Sequence, residues 1–132
     1  MLNENDVSAI SSLGPAMDSA ALAGDWLGLT GLFTEDCVVM PPDGPEIQGR
    51  KAFFDFIESM DLKVQAHKLE FHDVDGDGDS AYGRARYAET FTATGLEGPV
   101  EDEGKVLCAV RMQPDGSWKF SRWMWSSDLP NP

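Results

Sequence analysis

Hydrophobic positions follow a helical period in the first part of the chain. Gly14-Pro15 interrupts this pattern, so we expect a kink or a break there, because a proline inside a helix removes a hydrogen bond and clashes with the preceding turn. Asn3 or Asn5 can cap the start of the predicted helix. Its apolar residues recur at intervals of three and four: Val7, Ile10, Leu13, Met17, Ala20 and Ala21.

Residues 25 to 60 predict two more helices with a strand between them. Asp25 is a good N-cap for a short helix, and the acidic pair Glu35-Asp36 is expected to end it, because negative charge is unfavourable at a helix C-terminus. The apolar run 37–40 is typical of a strand buried on both faces. Residues 41–45 carry three prolines and must turn. Residues 52–60 then form an amphipathic helix.

The second half of the chain alternates as strands do. Strands are predicted at residues 62–71, 80–94, 105–112 and 118–126. An Asp- and Gly-rich turn occupies residues 72–79, a loop follows at 95–99, and the acidic segment 100–104 fits neither state. Three helices followed by several strands is the order of an α+β fold.

Composition narrows the function classes. The 132 residues suit one domain, 1–132, and a hydrophobic content of 42% is enough for a core. The net charge of −13 disfavours nucleic acid and anionic membranes as partners, since both need a basic face. With neither a membrane span nor a signal peptide recognisable, a cytoplasmic protein is expected. Cys37 and Cys108 are then expected to be buried thiols.

The sequence matches motifs of defined chemistry only in part or not at all. Residues 73–79 match the first half of a calcium loop, but Arg84 stands where the bidentate Glu belongs, so we predict no metal. No nucleophile, phosphate-loop or dinucleotide pattern occurs, so we predict no cofactor. His67 and His72 are five apart on one strand and fall on opposite faces. Both are interpreted as structural or exposed, although one histidine can act as a general base.

The segments AGDW, LFTEDCVVMPPDGPEIQGRKAF and PDGSWKFSRWMWSSDLP resemble the SnoaL-like and ketosteroid-isomerase-like branch of the nuclear-transport-factor-2-like superfamily. The resemblance covers Val7 to Pro130. It implies a cone-shaped α+β half-barrel, in which three N-terminal helices pack in a strongly curved, mostly antiparallel sheet. A pocket is expected between helices and sheet. Because the superfamily includes isomerases, cyclases, dehydratases, hydrolases and non-enzymes, the fold does not name the function.

The same resemblance gives a test for the known chemistries. Ketosteroid isomerases use a tyrosine and two aspartates, and ungapped alignment places Met17, Pro41 and Cys108 at those positions. Trp123 stands where many relatives carry an acid. Neither the Asp–Arg–Asp set of the epoxide hydrolases nor the two-histidine set of scytalone dehydratase can be placed. The resemblance therefore implies a pocket without the usual catalytic groups.

The alignment also indicates which side chains line the pocket. For Arg84 and Arg86 two orientations remain open. The alignment points both side chains inward, where they would bind a carboxylate, whereas a shift of the strand register by one residue would place them on the outer face. The alternative to a pocket is a core that these aromatic residues simply fill. The other expected lining residues are Met17, Trp26, Phe33, Pro41, Phe53, Ile57, Cys108, Ser121, Trp123 and Trp125.

Three functions remain open. The first is a protein that binds a small, flat hydrophobic or aromatic molecule in an apolar pocket. The second is an isomerase, cyclase or hydrolase that uses a non-standard group, for which Glu89, Asp128 and His67 are weak candidates. The third is a non-catalytic association domain. In each case we expect a homodimer formed through the outer face of the sheet.

Overall fold

The computed structural model describes residues 1–130, and in them four helical segments pack on one six-stranded sheet. The sheet is curved and unclosed, and its strand order is β2-β1-β6-β5-β4-β3. Only β1 and β6 run parallel; every other neighbouring pair is antiparallel. The elements are α1 (Glu4–Ser11), α2 (Leu13–Ala23), α3 (Trp26–Thr30), β1 (Phe33–Met40), β2 (Ile47–Gln48), α4 (Arg50–Ser59), β3 (Lys63–Asp77), β4 (Ser80–Thr92), β5 (Val100–Met112) and β6 (Trp118–Ser127). The α+β architecture expected from the sequence is confirmed.

The first predicted helix is divided, as Gly14-Pro15 indicated. The side chain of Asn3 caps α1, and Ser12 is both the C-cap of α1 and the N-cap of α2. Pro15 therefore lies in the first turn of α2, where its missing N–H has no helical partner to lose. The expected break is confirmed.

Gly14 lets α2 approach the sheet. A β-carbon on Gly14 would lie 2.6 Å from the carbonyl oxygen of Leu69 on β3, closer than two such atoms tolerate. Glycine is thus required for the distance between the helix and the strand, and α2 reaches β3 more closely than any larger residue would permit.

Several predicted boundaries are wrong. The strand β1 begins at Phe33 rather than at residue 37, so Glu35 and Asp36 lie within a strand and not at a helix end. Its residues Val38 and Met40 are only half-buried, so the strand is not covered on both faces. The acidic segment 100–104 belongs to β5.

The Asp-rich segment 72–79 is mostly strand rather than turn. The strand β3 runs to Asp77, and Asp77 pairs directly with Ser80 across a two-residue turn. An extended strand points successive side chains to opposite faces, so these carboxylates do not wrap around one centre. Within residues 1–130 no group of three histidine, cysteine or acidic side chains is placed to hold a metal ion.

The face of the sheet that the helices cover carries the core. Small residues Ala81, Gly83 and Ala85 occupy the inward positions of β4 at one end, and larger ones follow toward the other end. Phe33 contacts Phe53, Phe120 and Trp123, with ring centroids 4.9 to 5.8 Å apart. Each helix in the described residues is too short or too polar to cross a bilayer. The cytoplasmic location stays a prediction.

The outer face of the sheet carries an exposed apolar patch, which we call the outer patch: Tyr82, Leu107 and Met124. Leu107 and Met124 lie directly opposite each other on β5 and β6. Basic residues surround the patch, and several are already paired within the chain, as in the 2.7 Å contact between Arg84 and Asp73. Apolar area with internally balanced charge at its edge suits a second copy of the same surface.

We propose that two copies of the chain pair through the outer patch. Leu107→Glu is expected to convert a dimer to a monomer, because a buried unpaired carboxylate costs several kcal/mol, on the order of 3 to 5. Leu27→Glu is the matched control, since Leu27 is 72% exposed on α3, away from the sheet. Light scattering coupled to size-exclusion chromatography gives the mass. A monomeric wild-type protein, or a dimer that persists in Leu107→Glu, would refute the proposal.

Candidate functional site

A cavity of about 280 Å³ lies between the helices and the inner face of the sheet. Its walls are mostly apolar, and aromatic side chains from β1, α4 and β6 form much of them. Its lining residues are Met17, Ala21, Trp26, Leu29, Phe33, Phe53, Phe56, Ile57, Met60, Leu62, Val64, His67, Leu69, Tyr87, Glu89, Phe91, Asp102, Val106, Trp123 and Trp125. An engineered cavity of about 150 Å³ holds benzene, so this one has room for two fused rings.

Seven of the residues expected at the pocket line the cavity: Met17, Trp26, Phe33, Phe53, Ile57, Trp123 and Trp125. Trp123 and Trp125 of β6 therefore face inward and do not point to solvent. Pro41 is not among the lining residues, and it lies just after the end of β1, in the segment that leads to β2.

Cys108 and Ser121 face the core rather than the cavity. The Cys108 thiol is buried and donates to the carbonyl oxygen of Gly83 at 3.6 Å. Burial raises its pKa to about 12, so it stays protonated. Ser121 lies at a β-bulge, where the register with β5 shifts, and its hydroxyl donates to the carbonyl of Ala109 at 3.3 Å.

The bulge at Ser121 changes the face of every residue after it. Trp118 and Phe120 face inward before the bulge, and Trp123 and Trp125 face inward after it, although the two pairs have opposite parity along the strand. Strict alternation predicted that Ser121, Trp123 and Trp125 share one face of the strand. Ser121 is the extra residue of the bulge, and this explains why it does not reach the cavity.

Arg84, Arg86 and Asp128 lie on the outer side, so the inward orientation that the alignment implied for the arginines is wrong. Arg84 pairs with Asp73. Arg86 and Lys105 both pair with Asp128, and these two bases hold the pKa of the Asp128 carboxyl below its usual range. Asp128 is thus an outer-face ion-pair partner and not a group of the cavity.

The cavity has one polar end. There His67 of β3 lies directly opposite Glu89 of β4, and Glu89 lies opposite Asp102 of β5. Residues that pair across strands point to the same face, so the three side chains form a row on the inner face. All three line the cavity.

A helix residue fixes the histidine of this row. The His67 Nδ1 atom lies 2.7 Å from a carboxylate oxygen of Asp18 on α2, and the same oxygen accepts the backbone N–H of Leu69 at 2.9 Å. Because an ionised carboxylate only accepts, the proton of the contact belongs to Nδ1, and Nε2 has no hydrogen-bond partner among the described residues. His67 is buried and takes part in this geometry, so it is not an exposed residue.

Two hydroxyl groups satisfy Asp102 at the other end of the row. Tyr87 donates to one carboxylate oxygen at 2.8 Å, and Ser127 donates to the other at 2.5 Å. Gly104, opposite Tyr87 on β5, makes room for this arrangement, because a β-carbon there would lie 2.9 Å from the tyrosine ring. Burial, together with the bond to Asp102, raises the pKa of Tyr87, so the phenol remains a donor.

Glu89 lies between His67 and Asp102 without a hydrogen-bond donor of its own among residues 1–130. Burial raises the pKa of its carboxyl, and the nearby Asp102 raises it further, while His67 lowers it. An acid with these neighbours keeps its proton to a higher pH than an exposed glutamate does.

The sequence carried signals for part of this row. Inward positions of β4 alternate from Ala81 to Tyr87, and continuing that alternation reaches Glu89. Continuing the alternation of β5 back from Val106 reaches Asp102, but residues 100–104 were not interpreted as strand. Asp18 had no such signal, because its role depends on the contact between α2 and β3.

A second, more open cleft of about 420 Å³ lies across the same three strands. It shares His67, Glu89 and Asp102 with the cavity, but its other charged residues, such as Lys68 and Glu103, are exposed. Because a hydrophobic molecule gains little from such a surface, the cavity with mostly apolar walls is the candidate site.

Glu89→Gln is expected to stabilise the protein at pH 7 by about 1 kcal/mol, since it removes the charge of a half-buried carboxylate that has no hydrogen-bond donor among the described residues. The pKa of Glu89 is raised in the folded state, so its stabilising contribution is complete below the ordinary value of 4.5 and is lost as the pH rises through the folded-state pKa. Urea unfolding at pH 4 and pH 7 measures this. A gain from the substitution that is as large at pH 4 as at pH 7 would contradict it.

Comparison with known proteins agrees with this architecture. The model of the SnoaL-like domain family matches residues 16–124. Three solved structures share the fold at low identity. A ketosteroid isomerase-like protein from Erwinia carotovora atroseptica is 22% identical, with 98% of this chain and 100% of that chain covered and a TM-score of 0.83. A conserved protein from Planctomyces limnophilus is 20% identical, with coverages of 95% and 99% and a TM-score of 0.81.

The third, a nuclear-transport-factor-2-like protein with a cystatin-like fold from Novosphingobium aromaticivorans, is 20% identical, with coverages of 96% and 84% and a TM-score of 0.77. None of the curated proteins matches the sequence. At identities of 20 to 22%, the likeness to these structures shows the fold alone. The family match extends from α2 into β6, so it includes most of the cavity walls and the whole polar row. Because the match covers most of the sequence, the chain belongs to the family of SnoaL-like domains.

Proposed function

We propose that the protein binds a small, flat hydrophobic or aromatic molecule in the cavity between its helices and its sheet. The carrying observation is an apolar cavity of about 280 Å³ that remains between well-packed aromatic walls. A core that had only to be stable would be filled, because each unfilled volume of this kind costs free energy.

The wall chemistry supports a flat ligand. Phe33, Phe53 and Trp123 meet edge to face, and Trp125 extends the wall toward the polar end. Rings arranged in this way present both faces and edges to a guest, and aromatic guests gain about 0.5 to 1.5 kcal/mol from such contacts beyond the area that they bury. The few polar groups at one end would orient the guest.

Filling the cavity is expected to abolish binding. Ala21 of α2 lines the cavity, so Ala21→Phe should weaken the binding of 2-naphthol at least about tenfold, or 1.4 kcal/mol, in isothermal titration calorimetry. Ala23→Phe adds the same ring at an exposed position of the same helix and should bind as the wild type does. Native mass spectrometry of the purified proteins should detect a bound small apolar molecule on the wild type and on Ala23→Phe, but not on Ala21→Phe.

Met17→Phe is a second filling variant in case Ala21→Phe unfolds, since Met17 also lines the cavity. Binding of 2-naphthol that is equal in the wild type and in a folded filling variant would show that the cavity is not the site.

A second candidate function is proton transfer on the bound molecule, as in an isomerase or a dehydratase. The observation that favours it is the Asp18–His67 contact of 2.7 Å beside Glu89. A histidine whose Nδ1 is held by a carboxylate offers Nε2 as a base, and a neighbouring acid of raised pKa can return a proton. His67 and Glu89 would then act as the base and the acid.

Exchange of the benzylic C1 proton of 2-tetralone in D₂O tests this. Proton NMR should show exchange above the buffer rate, and His67→Gln should reduce it by about 10² to 10⁴, the usual contribution of a general base. Asp18→Asn should reduce it less, since Asp18 acts only by positioning the ring. Glu70→Gln changes an exposed acid of the same strand and should have no effect. An exchange rate that is indifferent to His67→Gln would leave binding as the function.

A further inference from the structure

The hydrogen bonds at the polar end of the cavity determine what kind of polar group it can receive. His67 gives its Nδ1 proton to Asp18, and its Nε2 atom has no hydrogen-bond partner among the described residues. Tyr87 gives its only proton to Asp102, so its oxygen is left with lone pairs alone. The protons at this end are therefore already used within the protein.

The carboxylates add acceptors and charge. The Glu89 carboxyl has no hydrogen-bond donor among the described residues, and the Asp102 carboxyl lies opposite it on the neighbouring strand. Among the lining residues there is neither a lysine nor an arginine, and His67 is the sole basic group. Arg84 and Arg86 lie on the outer face of the sheet instead.

We infer that the ligand of this cavity presents a hydrogen-bond donor, a hydroxyl or a protonated amino group, to the row His67–Glu89–Asp102, and that molecules carrying a carboxylate are rejected. The inference rests on the proposed binding function and adds the chemical class of the ligand. A donor gives Glu89 the hydrogen bond that it lacks, whereas an anion would add negative charge beside two carboxyl groups with no lysine or arginine among the lining residues to balance it.

Three bicyclic probes of one ring shape separate the possibilities: 2-naphthol, 2-methoxynaphthalene and 2-naphthoate. At pH 7, calorimetry with the wild type should give 2-naphthol at least about tenfold tighter binding than 2-methoxynaphthalene, which lacks only the donor. 2-Naphthoate should not bind measurably. Glu89→Gln should narrow the preference for 2-naphthol and admit 2-naphthoate, because the amide carries no charge and has donors of its own.

Glu70→Gln is the matched control and should reproduce all three wild-type affinities, since Glu70 is an exposed residue of β3. Binding of 2-naphthoate as tight as that of 2-naphthol would overturn the inference, and so would a preference for the hydroxyl that Glu89→Gln leaves unchanged. Either result would leave the proposed binding function standing. If none of the three probes binds, the binding function itself fails and the inference falls with it.

Discussion

The carboxylate of Asp18 is the point on which the site depends, because one of its oxygens joins a helix to the sheet and orients the only cavity histidine. It accepts the Leu69 amide and the His67 ring at 2.9 and 2.7 Å. The contact is possible because Gly14, one turn earlier on α2, lets the helix lie against the carbonyl of Leu69. Gly14, which permits the short distance, and Asp18, which supplies the charge, thus contact the same stretch of β3. Packing and chemistry cannot be separated at this place.

The cavity combines two environments that ordinarily exclude each other. Aromatic walls lower the dielectric response around Glu89, and this is why its pKa rises. The protein tolerates the cost because the neighbouring acids are satisfied: Asp102 by Tyr87 and Ser127, and Asp18 by backbone and ring. One unsatisfied acid among satisfied ones is the arrangement expected of a group that acts on something else.

Sequence reasoning reached the fold and the apolar walls, and it named His67 and Glu89 as weak candidates, but it missed Asp18 and Asp102. The helical period, the Pro turn and the alternating strands are local signals for the elements, and the alignment to the family placed Met17, Phe33, Phe53 and Trp123 at the cavity. The errors arise where pairing overrides local pattern. The bulge at Ser121 resets parity on β6, and pairing with β4 extends β3 through the Asp-rich segment.

Asp102 and Asp18 were missed for a different reason. An acid in an acidic segment looks like surface, and its burial follows only from which strand it pairs with and which hydroxyl groups reach it. Arg84 and Arg86 show the converse: a family alignment pointed them inward, and the observed register places them outside. Register is a property of the whole sheet, so one strand read alone does not determine it.

The extra residue at Ser121 makes β6 behave as two short strands in series. Trp118 and Phe120 belong to the solid part of the interior, and Trp123 and Trp125 belong to the hollow part. The two halves follow separate alternation but meet where Phe120 and Trp123 pack edge to face, with ring centroids 4.9 Å apart. A change of side chain at Trp123 therefore alters the packing of Phe120 as well as the shape of the cavity.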